Sequence, residues 1–204
     1  MKLIYLAVLS FLFLIINPGF SNGQQTQTLF SGDVSHGGFG SLMYGVSSVN
    51  NQTVYMRGTR GAWSLKFSDG HTINIGLGGY RTRSGFDAVN WQSADIQKPE
   101  LRMDHGGFEL EYLNRSHRLI HAGAQVTIGG GTVRYRDRNI ELDNRSDDFF
   151  AFQPGVNIHL NVTNWFRISG GAMYRFISGT DLEGTSDSDL SGFSAIAGLR
   201  FGKF

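Results

Sequence analysis

Apolar and polar residues alternate with a period of two along most of this chain. The pattern is clearest between residues 149 and 162. There one parity holds Phe150, Phe152, Val156, Ile158, Leu160 and Val162, and the other holds Gln153, Asn157, His159 and Asn161. Successive side chains of a β-strand point to opposite faces, so this segment predicts a strand with one apolar and one polar face. Because no useful helical periodicity follows residue 24, the chain is predicted to be all-β.

Eight segments of this kind can be distinguished. They run from about 37 to 49, 53 to 67, 71 to 81, 107 to 113, 118 to 136, 149 to 162, 165 to 179 and 190 to 204. Short turns follow the second, fourth and sixth segments, whereas polar stretches at 82–105, 137–148 and 178–189 follow the third, fifth and seventh. The connection after the first segment is short. Because outer-membrane barrels alternate short turns with long loops, the pattern predicts an eight-stranded antiparallel up-and-down transmembrane β-barrel.

The N-terminus has the pattern of a secretory signal peptide. Lys2 precedes a 14-residue apolar stretch, 3–16, and small or polar residues follow at 21–23. This stretch is shorter than the roughly 20 residues that a spanning helix needs. We therefore predict a cleaved signal peptide at 1–23, a short periplasmic segment at 24–36 and a barrel at 37–204. The chain contains no cysteine, which excludes disulfides and thiolate metal sites.

Two kinds of eight-stranded barrel fit the alternation. A soluble ligand-binding barrel turns its apolar residues inward, whereas a membrane barrel turns them to lipid and fills its lumen with polar groups. Aromatic residues such as Trp63, Tyr112 and Phe176 lie near the ends of the apolar faces, as at a bilayer interface. The polar faces are rich in glycine, which suits a crowded lumen better than a wet exterior. The membrane barrel is therefore favoured.

Several sequence blocks resemble a family of small, functionally uncharacterised eight-stranded outer-membrane β-barrel proteins. They are GGFG (37–40), RGTRGAW (57–63), INIGLGGY (73–80), GGFELEY (106–112), TIGGG (127–131), DDFFAFQPGVNIHLNVTNWFRI (147–168) and RFGKF (200–204). The resemblance covers nearly all of the mature chain, and the block at 147–168 is its most specific part. It implies an outer-membrane barrel and supplies no mechanism.

Charged residues on the polar faces are predicted to form a network inside the lumen. The predicted members are Arg60, Lys66, Glu109, Glu111, Arg167 and Arg175. An eight-stranded barrel leaves room only for side chains, and charges inside it need partners, so the four cations are the candidate partners of Glu109 and Glu111. The favoured interpretation is a structural network that fills the lumen. The alternatives are a carboxylate pair for acid–base catalysis or a proton path, a narrow anion-selective or gated channel, and a lipid-modifying enzyme using His117, His121 or His159 with Ser116 or Ser169.

Two positions depart from the regular pattern. The terminal Phe204 resembles the assembly signal of outer-membrane barrels, but it falls on the polar parity of its strand. Either a bulge at Gly202 restores its phase or its ring turns inward. Pro154 cannot donate a hydrogen bond to a neighbouring strand, so a local bulge or bend is predicted there.

The remaining features indicate partners rather than chemistry. The four acids of 181–189 do not have the spacing of an ordered calcium loop. Arg134, Arg136 and Arg138 suit either the phosphates of lipopolysaccharide or the nearby Asp143, Asp147 and Asp148. The net charge of +1 gives no reason to expect nucleic acid. We predict no catalytic residue, metal or cofactor. The expected partners are outer-membrane lipid and lipopolysaccharide, the barrel-assembly machinery, and proteins at the outer loops or barrel wall. The expected role is a structural or interaction module.

Overall fold

The computed structural model describes residues 34–83, 85–87, 100–137, 140–182 and 184–204, without the side chains of 86–87 and 136–145. The predicted signal peptide and residues 24–33 of the predicted periplasmic segment lie outside this part of the chain. Within it, no helix is long and apolar enough to cross a membrane.

Eight long strands form a closed antiparallel barrel. They are β1 (Ser35–Val49), β2 (Gln52–Lys66), β3 (Thr72–Thr82), β5 (Glu100–Asn114), β6 (Ile120–Asp137), β7 (Ile140–Asn161), β8 (Phe166–Ser178) and β9 (Gly192–Lys203). A two-residue strand, β4 (Phe86–Asp87), pairs with the start of β5, and a one-turn helix, α1 (Asp187–Leu190), precedes β9. Each long strand pairs with its neighbours in sequence, and pairing of β1 with β9 and of β3 with β5 completes the circle. The predicted fold class is confirmed.

The two ends of the barrel differ in their connections. The turns at 67–71, 115–119 and 162–165 lie at the end that also holds Phe204 and the start of β1; we call this the inner end. The other, outer end holds the β3–β5 and β8–β9 connections and the turn at Asn50 and Asn51. Both asparagines have positive φ, 50° and 56°, as a two-residue hairpin turn requires. This explains why the first connection is short despite lying at the outer end.

The side chains alternate between the lumen and the outer wall. On the outer wall, many large apolar residues are exposed, among them Leu77 at 66%, Ile158 at 63% and Phe193 at 68%. In the lumen, Arg60, Glu109, Glu111 and Arg200 are all at or below 4% exposure. A barrel that is apolar outside and ionic inside has the polarity of a membrane barrel, and the opposite of a soluble ligand-binding one.

Two strands start earlier than the alternation predicts. β5 begins at Glu100 rather than at 107, and β7 begins at Ile140 rather than at 149, so the predicted loops at 82–105 and 137–148 are partly strand. Near the outer end the pattern is inverted. Leu101 and Met103 face inward and are fully buried, whereas Arg102 and Asp104 face outward. Because Arg102 and Asp104 point outward here, this part of the chain has the polar composition of a loop although it forms a strand.

The predicted bulge at Pro154 is wrong. β7 keeps one register against β6 through Pro154, and its register against β8 is the same before and after the gap at Gln153 and Pro154. The proline therefore interrupts one ladder, as its missing N–H requires, without adding a residue to the strand. Along the described part of the β6–β7 pairing, the register shifts only between Arg134 and Arg136.

Candidate functional site: the ion-pair network of the lumen

Glu111 on β5 is the centre of the buried network. Both oxygens of its carboxylate accept hydrogen bonds from Arg200, at 2.8 Å each. Asn74 donates to Oε2 at 2.7 Å and Asn157 to Oε1 at 3.1 Å, and Arg60 donates to Oε1 at 3.3 Å. This carboxylate has no exposed surface, so its charge is compensated by these donors, and Nε2 of His159 lies 3.6 Å from its Oε1.

Glu109, two residues earlier on the same strand, forms a second carboxylate site. Its Oε2 lies 2.5 Å from Nε of Arg60. Its Oε1 accepts hydrogen bonds from Tyr80 at 2.8 Å and from Thr127 at 3.2 Å. Arg60 therefore bridges both glutamates, and two arginines balance two carboxylates in the centre of the network. Such a closed set of pairs holds its members in place instead of leaving one available as an acid or base.

The network connects every long strand of the barrel. Its members on each strand are Phe39 on β1, Arg60 on β2, Asn74 and Tyr80 on β3, Glu109 and Glu111 on β5, Gln125 and Thr127 on β6, Asn157 on β7, Ser169 on β8 and Arg200 on β9. Phe39 contributes its ring, which lies 4.8 Å from the guanidinium carbon of Arg200 and 5.5 Å from that of Arg60. The lumen at this level is filled by side chains that cross-link opposite walls.

The structure brings together three of the six predicted members, namely Arg60, Glu109 and Glu111. Arg167 lies nearer the inner end, where it donates to the carbonyl of Ser116 at 3.3 Å. Lys66 forms no ion pair with a described residue and is only partly buried. Arg200, which is not among the six predicted members, is the principal partner of Glu111. Its inward parity on the last strand was the available signal.

Arg175 lies elsewhere in the lumen. It is fully buried, and its Nε and Nη2 donate to the carbonyl of Leu190 at 2.9 and 2.7 Å, while Nη1 donates to Ser47 at 3.1 Å. Its predicted pairing with a glutamate is therefore wrong. It fixes the end of α1 to the inside of the barrel wall, because the helix leaves a carbonyl that needs a donor.

An outer apolar cluster lies beyond Arg175, towards the outer end. Its members are Val49, Val54, Leu101, Met103, Val133, Tyr135, Phe149, Ala151, Ile177, Leu182 and Leu190, all at or below 9% exposure. Leu190 of α1 is fully buried in it, and the amide of Asn50 donates to the carbonyl of Asp189 at 2.6 Å. The β8–β9 connection thus covers the outer end of the lumen. The prediction of a uniformly polar lumen missed this cluster.

The histidines and serines considered for catalysis have other partners. Ser116 shares a 2.8 Å hydrogen bond with Thr72, and the Nδ1 of His121 lies 3.1 Å from the carbonyl of Arg118. The ring of His121 stacks on His159 with centroids 5.1 Å apart. Ser169 interacts with Arg200 and with the carbonyl of Gly198. These contacts do not pair a serine with a histidine, which a hydrolytic site requires.

The acidic outer connection has local rather than metal-binding contacts. Asp187 accepts from the amides of Gly179 and Thr180 at 3.2 and 2.8 Å, and Asp189 accepts from the amide of Ser186 at 2.9 Å. The backbone amide donors hold the pKa of Asp187 below its usual value. No group of three or more metal-binding side chains occurs among the described residues.

Phe204 turns into the inner mouth of the barrel. Its ring centroid lies 6.0 Å from that of Phe39 and 4.0 Å from the guanidinium carbon of Arg167. The β1–β9 register runs without a shift to Lys203, so no bulge at Gly202 restores its phase. Of the two predicted explanations, the inward ring is the one observed.

Comparison with known proteins supports the fold. No protein-family model matches the chain, and no curated protein matches it by sequence. Neisserial surface protein A is similar in structure, with a TM-score of 0.56 and 11% identity over 85% of this chain and 100% of that one. Ail of Yersinia pestis has a TM-score of 0.49 and 12% identity over 82% of this chain and 97% of Ail. The barrel domain of Pseudomonas aeruginosa OprF has a TM-score of 0.47 and 8% identity over 83% of this chain and 99% of that domain. The chain thus has the fold of small outer-membrane barrels.

Proposed function

We propose that the protein is a closed barrel of the bacterial outer membrane that acts as a structural or surface-interaction module. The observation that carries this proposal is the filling of the lumen at two levels. The Glu111 network occupies the inner half, and the outer apolar cluster with α1 occupies the outer half. A lumen filled in this way stabilises a rigid wall whose outward surfaces are left for contact with lipid or protein.

The channel alternative has less support. A narrow anion pore needs cations that a passing anion can reach, whereas Arg60 and Arg200 are committed to two glutamates. For the enzyme alternative, the described residues show no hydrogen bond between a serine and a histidine, although His159 and Ser169 are cross-strand partners. Neisserial surface protein A is, by its name, a surface protein, which agrees with a role at the surface, although an identity of 11% supports only the shared fold.

Planar bilayer recording tests the closed state. Purified protein is expected to give no stepwise conductance, while a general porin inserted in the same bilayers gives clear steps. A second sample combines Glu111→Ala and Arg200→Ala with replacement of residues 181–190 by glycine and serine, which removes the centre of the network and the two cluster residues, Leu182 and Leu190, that the β8–β9 connection contributes. Steps from this variant alone support the proposal. Anion-selective steps from the unaltered protein would instead establish the channel.

The proposed location and processing are tested by fractionation and N-terminal sequencing. The protein is expected in the outer-membrane fraction with Gln24 as its first residue, since residues 1–23 have the pattern of a cleaved signal peptide. Residues 24–36 then form a short periplasmic segment before the barrel. Recovery from the soluble periplasm would contradict this part of the proposal.

We also propose that Phe204 is read by the barrel-assembly machinery before its ring docks against Phe39. Phe204→Ala is expected to lower the amount of folded protein in the outer membrane severalfold. The matched control is Phe201→Ala, which removes an outward aromatic from the same strand. An equal loss from both variants would mean that Phe204 contributes packing and no specific signal.

A further inference from the structure

A groove of about 650 Å³ crosses the outer wall of β2, β3, β5 and β6 in the outer half of the barrel. Three glycines form its floor. Gly79 faces Gly106 across β3 and β5, and Gly106 faces Gly130 across β5 and β6. A Cβ placed at Gly79 would meet nothing within 4 Å. The three glycines lie side by side on adjacent strands and have no side chains, so they form a depression between rows of larger residues.

The residues on either side of this outer-wall groove differ sharply in polarity. Towards the inner end, the next row is apolar and contains Leu77, Phe108 and Ile128 in register. Towards the outer end, the next row contains Arg57, Arg81, Asp104 and Thr132 in register. The groove therefore lies at the boundary between the lipid-facing band and a charged band.

Among the described residues of the charged band, the cations Arg57, Arg81 and Arg134 lie beside the acids Asp104 and Asp148, and Asp148 accepts a hydrogen bond from Thr132 at 2.7 Å. Arg81 and Arg134 both pair with Asp104, at 2.9 Å each. Arg57 lies exposed between Tyr44 and Arg81. A second groove of about 680 Å³ adjoins the first; it is lined by Tyr44, Val46, Tyr55, Arg57 and Arg83 among others. Arg57 lines both grooves, so a cation lies where the two grooves meet on the outer wall.

This arrangement matches the order of groups in a lipid of the outer leaflet, with anionic headgroup above and acyl chains below. We propose that the outer-wall groove binds a lipid with a phosphorylated sugar headgroup, its phosphates on the arginine row and an acyl chain over the glycine floor. The inference rests on the proposed outer-membrane location. Arg57 on β2 and Arg134 on β6 are three strand spacings apart, with Arg134 two residues further towards the outer end, so their backbones are roughly 16 Å apart. That separation suits a headgroup with two phosphates better than a single phosphodiester.

Charge complementarity also decides against a second copy of the chain as occupant. A symmetric contact through this face would bring the same arginines together from both copies, and like charges at close range oppose association. Guanidinium groups form paired hydrogen bonds to phosphate. A phosphorylated headgroup is therefore attracted by the arginines that would repel a second copy.

Native mass spectrometry of the full-length mature protein in detergent provides the test. The probes are lipid A with two phosphates, the same lipid enzymatically dephosphorylated, and phosphatidylglycerol. We expect one bound lipid A per barrel, held about tenfold more tightly than either other lipid, because charge-assisted contacts are lost with the phosphates.

Two pairs of variants locate the site. Arg57→Gln is expected to weaken lipid A binding about tenfold, and Arg118→Gln, which removes a cation from the inner turn, to leave it unchanged. Gly79→Leu fills the groove and should weaken binding by a similar factor. Gly170→Leu is its control, because it also adds a side chain to an open position on the outer wall but lies on β8.

Three results would overturn the proposal: equal affinity for the three lipids, equal loss in a variant and its control, or a dimer that Gly79→Leu dissociates. A boiled-against-unboiled gel of each variant confirms that the barrel has folded before binding is compared. The bilayer recordings separate the two proposals. Conductance with selective lipid A binding would contradict only the closed role, and silence without lipid selectivity would contradict only the lipid site.

Discussion

The carboxylate of Glu111 collects donors from four strands in a place that water does not reach. Charge compensation of this kind is costly to disturb from one side only. Removing one partner of a buried pair leaves the other charge buried and unpaired, which is strongly destabilising. Replacing both partners with neutral groups leaves no buried charge and costs much less stability.

Glu111→Gln is therefore expected to reduce the free energy of unfolding by about 3–5 kcal/mol, because Arg200 and Arg60 lose their shared counter-charge. The double variant Glu111→Gln with Arg200→Met should regain at least half of that loss. Urea unfolding in lipid vesicles, followed by tryptophan fluorescence, measures both. A single-variant loss below about 0.5 kcal/mol, typical of a surface position, would show that the network contributes little to stability.

Arg175→Met tests a different residue-level contact. The variant keeps the volume of the side chain but leaves the carbonyl of Leu190 without its two donors. We expect the amides of residues 185–191 to exchange with deuterium at least about tenfold faster, since loss of a charge-assisted bond is worth about 1.5–3 kcal/mol. Arg167→Met, at the inner end, is the control. Unchanged exchange in Arg175→Met would mean that the apolar contact of Leu190 alone holds α1.

The residue scale also shows what alternation can predict. Parity correctly assigns Arg60, Glu109 and Glu111 to the lumen, because a strand turns every second side chain inward. Parity does not give the depth of a residue along the barrel axis, which depends on the stagger between strands. Arg175 and Arg167 share a parity, yet one lies beneath α1 and the other beside Phe204. For that reason the predicted partners of Arg175 are wrong although its direction is right.

Among the elements, the outer parts of β5 and β6 are the most informative, as far as their side chains are described. Their inward residues are apolar and their outward residues charged, the reverse of the arrangement in the membrane band. Leu101 and Arg102 are an example, as are Val133 and Arg134. Where a strand leaves the lipid, its outer face meets water, and its inner face can form an ordinary apolar core. A strand that changes environment along its length shows no single pattern, so its outer third resembled loop.

The β8–β9 connection offers a prediction about pH. The amides of Gly179 and Thr180 stabilise the charged form of Asp187, so its pKa in the folded state lies below the ordinary value of about 3.9. A depressed pKa means that these contacts persist at neutral pH and are lost as pH falls through the folded pKa. Amide NMR shifts of the two donors should therefore titrate with a midpoint below about 3.9. Asp187→Asn should abolish the titration, and a midpoint above that value would contradict the assignment.

At the scale of the whole molecule, the barrel has no free long edge among the strands that close it. Such a ring resists detergent because its backbone hydrogen bonds form a continuous belt. We expect unboiled protein in dodecyl sulfate to migrate differently from boiled protein. Glu111→Gln should lower the temperature at which the two bands interchange, since it weakens bonding across the lumen. Identical mobility before and after boiling would contradict a closed barrel.

The architecture as a whole follows closely from the sequence. Eight alternating segments and alternating connection lengths suffice for the strand number, direction and neighbour order. The filling of the lumen does not follow, because it joins residues such as Glu111 and Arg200 that are 89 positions apart. Their proximity arises from closure of the circle and from stagger, which a local pattern does not encode.

The pairing of β1 with β9 carries a consequence for the order of events during biogenesis. Ser47 and Ser194, hydrogen-bonded at 2.9 Å across this pair, are 147 positions apart in the chain. The first strand therefore has no permanent neighbour on that side until β9 has been synthesised. Contacts between such distant positions form late and slowly, because the intervening chain must be ordered first. Until β1 and β9 pair, both strands expose unpaired backbone groups that can aggregate, so the chain must be bound by a chaperone during this interval.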